Sequence, residues 1–186
     1  MKKITTLIIA VLFIGDLFSQ DIETEDIRKG YIGISMGPAF PIGDIKNDMI
    51  SGGMHLNLVN FGYLFSEHIG ISATWFGSSF VSKENSKNAI GLGGIMVGPL
   101  FSKSISNNQL EIDFKPLIGF ANGTLIEGNK TSSSSRTLAL GSGITARWNC
   151  WSKFSLSFGF DCYSAKPEDV DLSSCAVVFG VNYRLK

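Results

Sequence analysis

The chain has 186 residues with 16 Lys and Arg against 16 Asp and Glu, so it is formally neutral and has no cationic excess with which to bind nucleic acid. Charged residues make up 17% of it, against about 25% in ordinary soluble domains, while Gly (21) and Phe (14) are abundant. Its 3 Cys and 2 His are dispersed without metal-ligand spacing, and no Gly-rich phosphate loop runs from a strand into a helix, so no metal, cofactor or catalytic residue is assigned.

Residues 1–19 read as a cleavable secretory signal: Lys2 and Lys3, the apolar run Ile4 to Ile14, and the small Ser19 at its end. A retained anchor would need about twenty apolar residues to span a bilayer, and Asp16 closes the run early. Cleavage would leave 186 − 19 = 167 residues, one domain's worth, carrying 16 − 2 = 14 basic and 16 − 1 = 15 acidic groups. Residues 20–29, with Asp21, Glu23, Glu25 and Asp26, read as a flexible periplasmic lead.

From Gly30 the apolar period becomes two. Ile32, Ile34, Met36, Pro38 and Phe40 alternate with Gly33, Ser35, Gly37 and Ala39, the pattern of a strand with one apolar face. Strands are predicted over 30–41, 53–65, 69–80, 89–101, 110–121, 137–148, 154–164 and 174–185. Each is about as long as the 9–11 residues of a tilted strand crossing a bilayer core. The fifth (Leu110, Ile112, Phe114, Pro116, Ile118, Phe120 against Glu111, Asp113, Lys115, Gly119) and the eighth alternate most cleanly. Asn60-Phe61-Gly62 and Gly93-Gly94-Ile95 break the alternation of the second and fourth, which predicts a bulge or a shifted register there.

Long connections tend to alternate with short ones, as in barrels with short periplasmic turns and longer outside loops. The longest, Asn122 to Arg136, contains the serine run Ser132 to Ser135, read as a mobile tip.

Inside the predicted strands Glu111, Asp113, Lys115, Arg147, Asp161 and Arg184 all take the phase opposite the large apolar residues, beside Gly, Ser and Ala. A soluble barrel of the lipocalin kind would reverse this. The polar, small-residue face is therefore read as enclosed and the apolar face as lipid-facing. Trp75 and Phe40 at the outer strand ends, and Trp148, Trp151, Phe154 and Tyr183 at the inner ends, suit interfacial aromatic girdles.

The opening Gly30-Tyr31-Ile32-Gly33-Ile34-Ser35-Met36-Gly37, the Phe61-Gly62-Tyr63-Leu64-Phe65 before a tight turn, and the closing Phe179-Gly180-Val181-Asn182-Tyr183-Arg184-Leu185 resemble the small outer-membrane β-barrel proteins, the OmpA/OmpX-like group and related outer-membrane β-barrel domains, over residues 29–186. The resemblance implies an all-β fold, an eight-stranded antiparallel up-and-down transmembrane barrel over 30–186, inserted by the barrel-assembly machinery. Such proteins usually end on an aromatic residue; this chain ends Tyr183-Arg184-Leu185-Lys186.

Glu111 and Arg147, on hairpin-neighbouring strands, predict an internal salt-bridge network with Asp113, Lys115 and Arg184, the alternative being a gate. His55, with Asn57 and Asp161, could serve a lipid-modifying barrel enzyme, but no motif fixes a serine. Cys162 and Cys175 flank the last outside loop and are candidates for a cross-strand disulfide, or else two small apolar residues. The expected role is that of a monomeric, non-enzymatic structural or surface-interaction barrel in contact with outer-membrane lipid, its loops (Lys83, Glu84, Lys87; Lys166, Glu168, Asp169, Asp171) meeting an extracellular ligand or host surface. The rivals are a narrow pore, a lipid-modifying enzyme and a soluble ligand carrier.

Overall fold

The computed structural model describes residues 30–46, 49–85, 87–105, 109–128, 130–166 and 170–185. The predicted signal over 1–19 and lead over 20–29 lie outside the described residues. The strands are β1 (Gly30–Gly43), β2 (Met49–Leu64), β3 (Ile69–Ser82), β4 (Asn88–Ile105), β5 (Leu110–Glu127), β6 (Lys130–Ser133), β7 (Thr137–Trp148), β8 (Phe154–Ala165) and β9 (Leu172–Leu185). Eight of them pair in antiparallel order β1-β2-β3-β4-β5-β7-β8-β9, and β9 returns to β1 from Gly30↔Leu185 to Gly43↔Leu172, so the sheet closes on itself. The ninth, β6, pairs only with the outer extension of β5. Closure matters because a barrel leaves no row of unpaired backbone groups, the condition for burying strands in lipid.

The outward phase carries the large apolar side chains. Ile34, Met36, Ile95, Ile118, Phe120, Ile144, Phe158 and Phe179 are all exposed, and the inward phase alternates with them residue by residue. In β1, for instance, Ser35, Gly37 and Ala39 are buried between exposed Ile34, Met36, Pro38 and Phe40. An exterior this apolar wraps the whole ring and is a surface for hydrocarbon, not water.

In β2 the pairing slips between Asn57 and Val59 against β3, and in the same stretch against β1. One extra residue of β2, around Leu58, is accommodated there, so His55 and Asn57 point inward before it and Asn60 and Gly62 after it. The irregularity expected in the fourth strand is absent: β4 keeps one register with β3 from Ala89 to Phe101. Its alternation is hard to see in sequence because both phases are apolar, Leu92, Met96 and Leu100 inside and Ile95 and Val97 outside.

The serine run is not a tip. Ser132 and Ser133 belong to β6, opposite Leu125 and Thr124. Ser134 closes the base of the hairpin, its amide donating to Gly123 O at 2.9 Å and its hydroxyl accepting from Gly123 N at 2.8 Å. The turn sits instead at Gly128, whose φ of 58° suits glycine. The hairpin is hidden in sequence because its second strand, Lys130–Ser133, is wholly polar and exposed and shows no alternation.

Candidate functional site

The inside of the barrel is lined by buried side chains, among them Tyr31, Phe76, Phe80, Met96, Leu100 and Lys115. At the end of the ring where β1 begins and β9 ends, the Arg147 guanidinium donates to Asp113 through Nε (2.6 Å) and Nη2 (3.1 Å) and reaches Glu111 Oε2 at 2.5 Å. Arg184 Nη2 lies 3.8 Å from Glu111 Oε1, which also accepts from Asn149 Nδ2 at 2.7 Å. The Arg147 guanidinium carbon stands 4.0 Å from the centroid of the fully buried Tyr31 ring, a cation–π contact in a desolvated site. Register explains the Glu111 contact, since Glu111 and Arg147 are directly opposed between β5 and β7, and Asp113 is the next inward residue of β5.

Lys115, 1% exposed, donates to Asn60 Oδ1 at 3.3 Å. Asp161 is not part of the arginine network. It accepts from Asn57 Nδ2 at 3.0 Å, and the same amide nitrogen donates to Ser35 Oγ at 2.9 Å. Asp161 and Lys115 converge over bare Gly143, where an added Cβ would meet both. The inward acids Glu111, Asp113 and Asp161 equal in number the inward bases Lys115, Arg147 and Arg184, so the lining carries no formal net charge. A buried charge is tolerated only when compensated in this way.

Above Asp161 the interior becomes aromatic and then apolar. His55 Nε2 pairs with Asn57 Oδ1 (2.9 Å) and Nδ1 with Ser78 Oγ (2.8 Å). Because the acceptor-only Asp161 fixes the Asn57 amide with its nitrogen toward the carboxylate, Asn57 Oδ1 must accept. The imidazole then carries its proton on Nε2, and Nδ1 accepts from the Ser78 hydroxyl. The Phe76 and Tyr163 rings stack at 4.0 Å with planes 6° apart, and His55 lies 5.3 Å from Tyr163. Around and beyond this layer Phe80, Leu92, Met96, Leu117 and Val178 pack with Phe76, Tyr163 and the alanines of β1, β5, β7, β8 and β9 into an apolar core.

This apolar core corrects the expectation that the enclosed face would be polar and small throughout. The charge of that face is confined to the central part and to the end where β1 begins, and even there Tyr31 and Leu100 are buried among it. The outer part holds no charge that would need a partner, and an eight-stranded barrel has room just sufficient for side chains to fill. Phe76, Phe80 and Leu92 take that role, and little in the sequence marks them as inward: Phe76 follows the still larger Trp75, and Leu92 stands between Gly91 and Gly93.

The girdle residues Trp75, Trp148, Trp151 and Tyr183 all face outward and are exposed. Trp148, Trp151 and Tyr183 lie at the end of the ring where β9 finishes, and Tyr183 meets Phe154 there edge-on at 5.5 Å. Trp75 lies midway along β3 and not at its end, because β3 continues beyond the apolar band as Gly77, Ser79 and Val81. Cys162 and Cys175 are opposed in register and joined by a disulfide, with Cα atoms 4.1 Å apart. Cys150 is a free thiol in the β7–β8 turn.

Searches by sequence match this chain to no family model and to no curated protein. Solved structures do match it. Neisserial surface protein A aligns with a TM-score of 0.66 at 11% identity, covering 84% of this chain and 97% of that one. Ail, the attachment invasion locus protein of Yersinia pestis, aligns at 0.52 with 20% identity, covering 84% and 99%. The chain folds as an outer-membrane β-barrel. A second Ail structure, in complex with the heparin analogue sucrose octasulfate, aligns at 0.50 with 17% identity, covering 84% and 99%. Identities this low establish the fold alone. The barrel supplies the frame for the rest: β1 begins and β9 ends at the same end of the ring, paired through Gly30 and Leu185, and the β4–β5–β6 wall projects furthest at the other end.

Proposed function

We propose that this barrel is closed to solutes and acts without catalysis, through what it presents at the cell surface. The observation that carries the proposal is the filling of the lumen. Tyr31, Phe76, Phe80, Met96, Leu100 and Lys115 are each at most 1% exposed; beneath the aromatic stack Asp161 and Lys115 are hydrogen-bonded to Asn57 and Asn60, and Arg147 is ion-paired with Asp113. A solute path would have to part a bidentate ion pair and a stacked aromatic layer in series.

The same burial argues against hydrolysis. Ser78, His55, Asn57 and Asp161 form a relay whose order resembles that of a serine nucleophile and its base. Ser78 is 4% exposed beneath Phe80, so an acyl substrate has no approach to its hydroxyl. The relay is a polar layer of the core satisfying itself.

Surface contact is left to the loops and to the β5–β6 hairpin, where Lys83, Glu84, Lys87, Glu127 and Lys130 are exposed. Ail is described in complex with a heparin analogue, which illustrates the class of contact proposed. The mixed signs of the loops here favour a neutral or zwitterionic surface over a polyanion. The eight-stranded ring closes on itself, which supports a monomer, and the short β6 is left as an edge strand outside it. Purified barrel added to a planar lipid bilayer is expected to leave conductance at baseline. Steady single-channel steps would reject the closed lumen in favour of a narrow pore.

A further inference from the structure

On the outer wall, β3, β4, β5 and β7 enclose a groove of about 720 Å³ lined by Trp75, Ile95, Phe120, Leu138, Asn122 and Arg136, with a floor of glycine backbone. Its lower wall follows the register: Trp75 opposes Ile95, Ile95 opposes Phe120, and Phe120 opposes Leu138. One outward position further toward the cell exterior, the four strands carry Gly77, Gly93, Asn122 and Arg136. The wall therefore changes within one step from large apolar residues to bare backbone and then to a cation.

Glycine is not needed for packing at Gly77 or Gly93. An added Cβ at Gly77 would meet nothing within 4 Å, and at Gly93 the nearest atom would be Phe76 O at 3.4 Å. Inward glycines of the same strands differ: at Gly94 and Gly98 an added Cβ would collide with the backbone of β5. Glycine weakens a strand interior, so bare lipid-facing positions with room for a side chain mark a surface shaped for something outside the chain.

We propose that this groove binds a phosphate-bearing lipid of the outer leaflet, one acyl chain lying against Ile95, Phe120 and the glycine floor and the phosphate meeting Arg136 and Asn122. Charge and position choose this occupant. Arg136 is exposed, and among the described residues it forms no ion pair. It stands where the apolar band ends, the level of lipid headgroups. A guanidinium presents a fork of donors matched to phosphate oxygens, and Asn122 adds amide donors beside it. A second copy of the barrel would bury Arg136 without an evident counter-charge. The proposal rests on the membrane placement of the barrel and is independent of whether its lumen is closed.

Trp75 at the groove wall supplies the readout. The full barrel carrying Trp148→Phe and Trp151→Phe, shown to be folded by its heat-dependent gel migration, is reconstituted in vesicles containing brominated-chain phosphatidic acid or brominated-chain phosphatidylcholine at equal mole fraction. Phosphatidic acid is expected to quench Trp75 with about fivefold higher apparent affinity, the worth of one interfacial cation against an anionic lipid. Arg136→Gln should abolish that preference, and Gly93→Leu, which fills the floor, should reduce quenching by both lipids. Equal quenching by the two lipids would overturn the proposal, as would a preference that survives Arg136→Gln. A cross-link between barrels through this face at high yield would assign the groove to a second copy instead.

Discussion

Replacing Arg147 by Met removes the one side chain that touches Asp113, Glu111 and Tyr31 together. Methionine keeps much of the volume but none of the charge, so the balanced lining gains an excess of one negative charge. Asp113 is fully buried and loses both guanidinium bonds at once, at 2.6 and 3.1 Å. Glu111 retains Asn149 and the more distant Arg184. Breaking a buried pair from one side costs about 3–5 kcal/mol, and the upper part of that range is expected here because Asp113 has no route to water. The assay is urea unfolding of vesicle-reconstituted protein followed by the unheated gel band. Asp113→Asn added to Arg147→Met should recover most of the loss, since the stranded charge and not the missing contact carries the penalty. A single variant that loses under about 1 kcal/mol, or that gains conductance at unchanged stability, would refute the reasoning and identify Arg147 as a gate.

Other perturbations separate parts of the structure. Tyr163→Ala removes one ring of the stacked layer and is expected to cost about 3–5 kcal/mol and to admit the first measurable ion leak, read in the same bilayer experiment. Gly98→Ala places a methyl against the Pro116 carbonyl and should cut folding yield into detergent micelles severalfold, whereas Gly77→Ala, with open space around its Cβ, should refold like the parent. Thiol titration of the denatured, unreduced barrel should find one thiol, Cys150, rising to three after reduction. Ser78→Ala should leave the lipid profile of the host membrane unchanged while costing about 1 kcal/mol for the lost hydrogen bond to His55.

The eight ring strands are legible in sequence because lipid on one side and a packed lumen on the other enforce alternation from end to end, as in β1, β5 and β9. Legibility fails where that contrast fades. Both phases of β4 are apolar, so its regular register looks irregular; the extra residue near Leu58 of β2 is visible only as a phase change. In the β5–β6 hairpin the second strand is wholly polar and exposed and shows no alternation. Glu111 and Arg147 can be paired from neighbouring strands by counting; Asn57 and Asp161 could be grouped by height alone, and that they bond directly, three strands apart around the ring, no local spacing reports. The outer groove is hidden for a related reason: Gly77, Gly93 and Arg136 become one surface only through the pairing of four strands.

The central claim is that the apolar phase faces lipid around a closed, self-filled ring, and a gel of the mature protein from the membrane fraction, loaded unheated and boiled, tests it most directly. Faster migration of the unheated sample, converted to the full mass position on boiling, is the predicted result. Recovery of the protein in the soluble fraction with identical migration of both samples would contradict the face assignment and everything built on it.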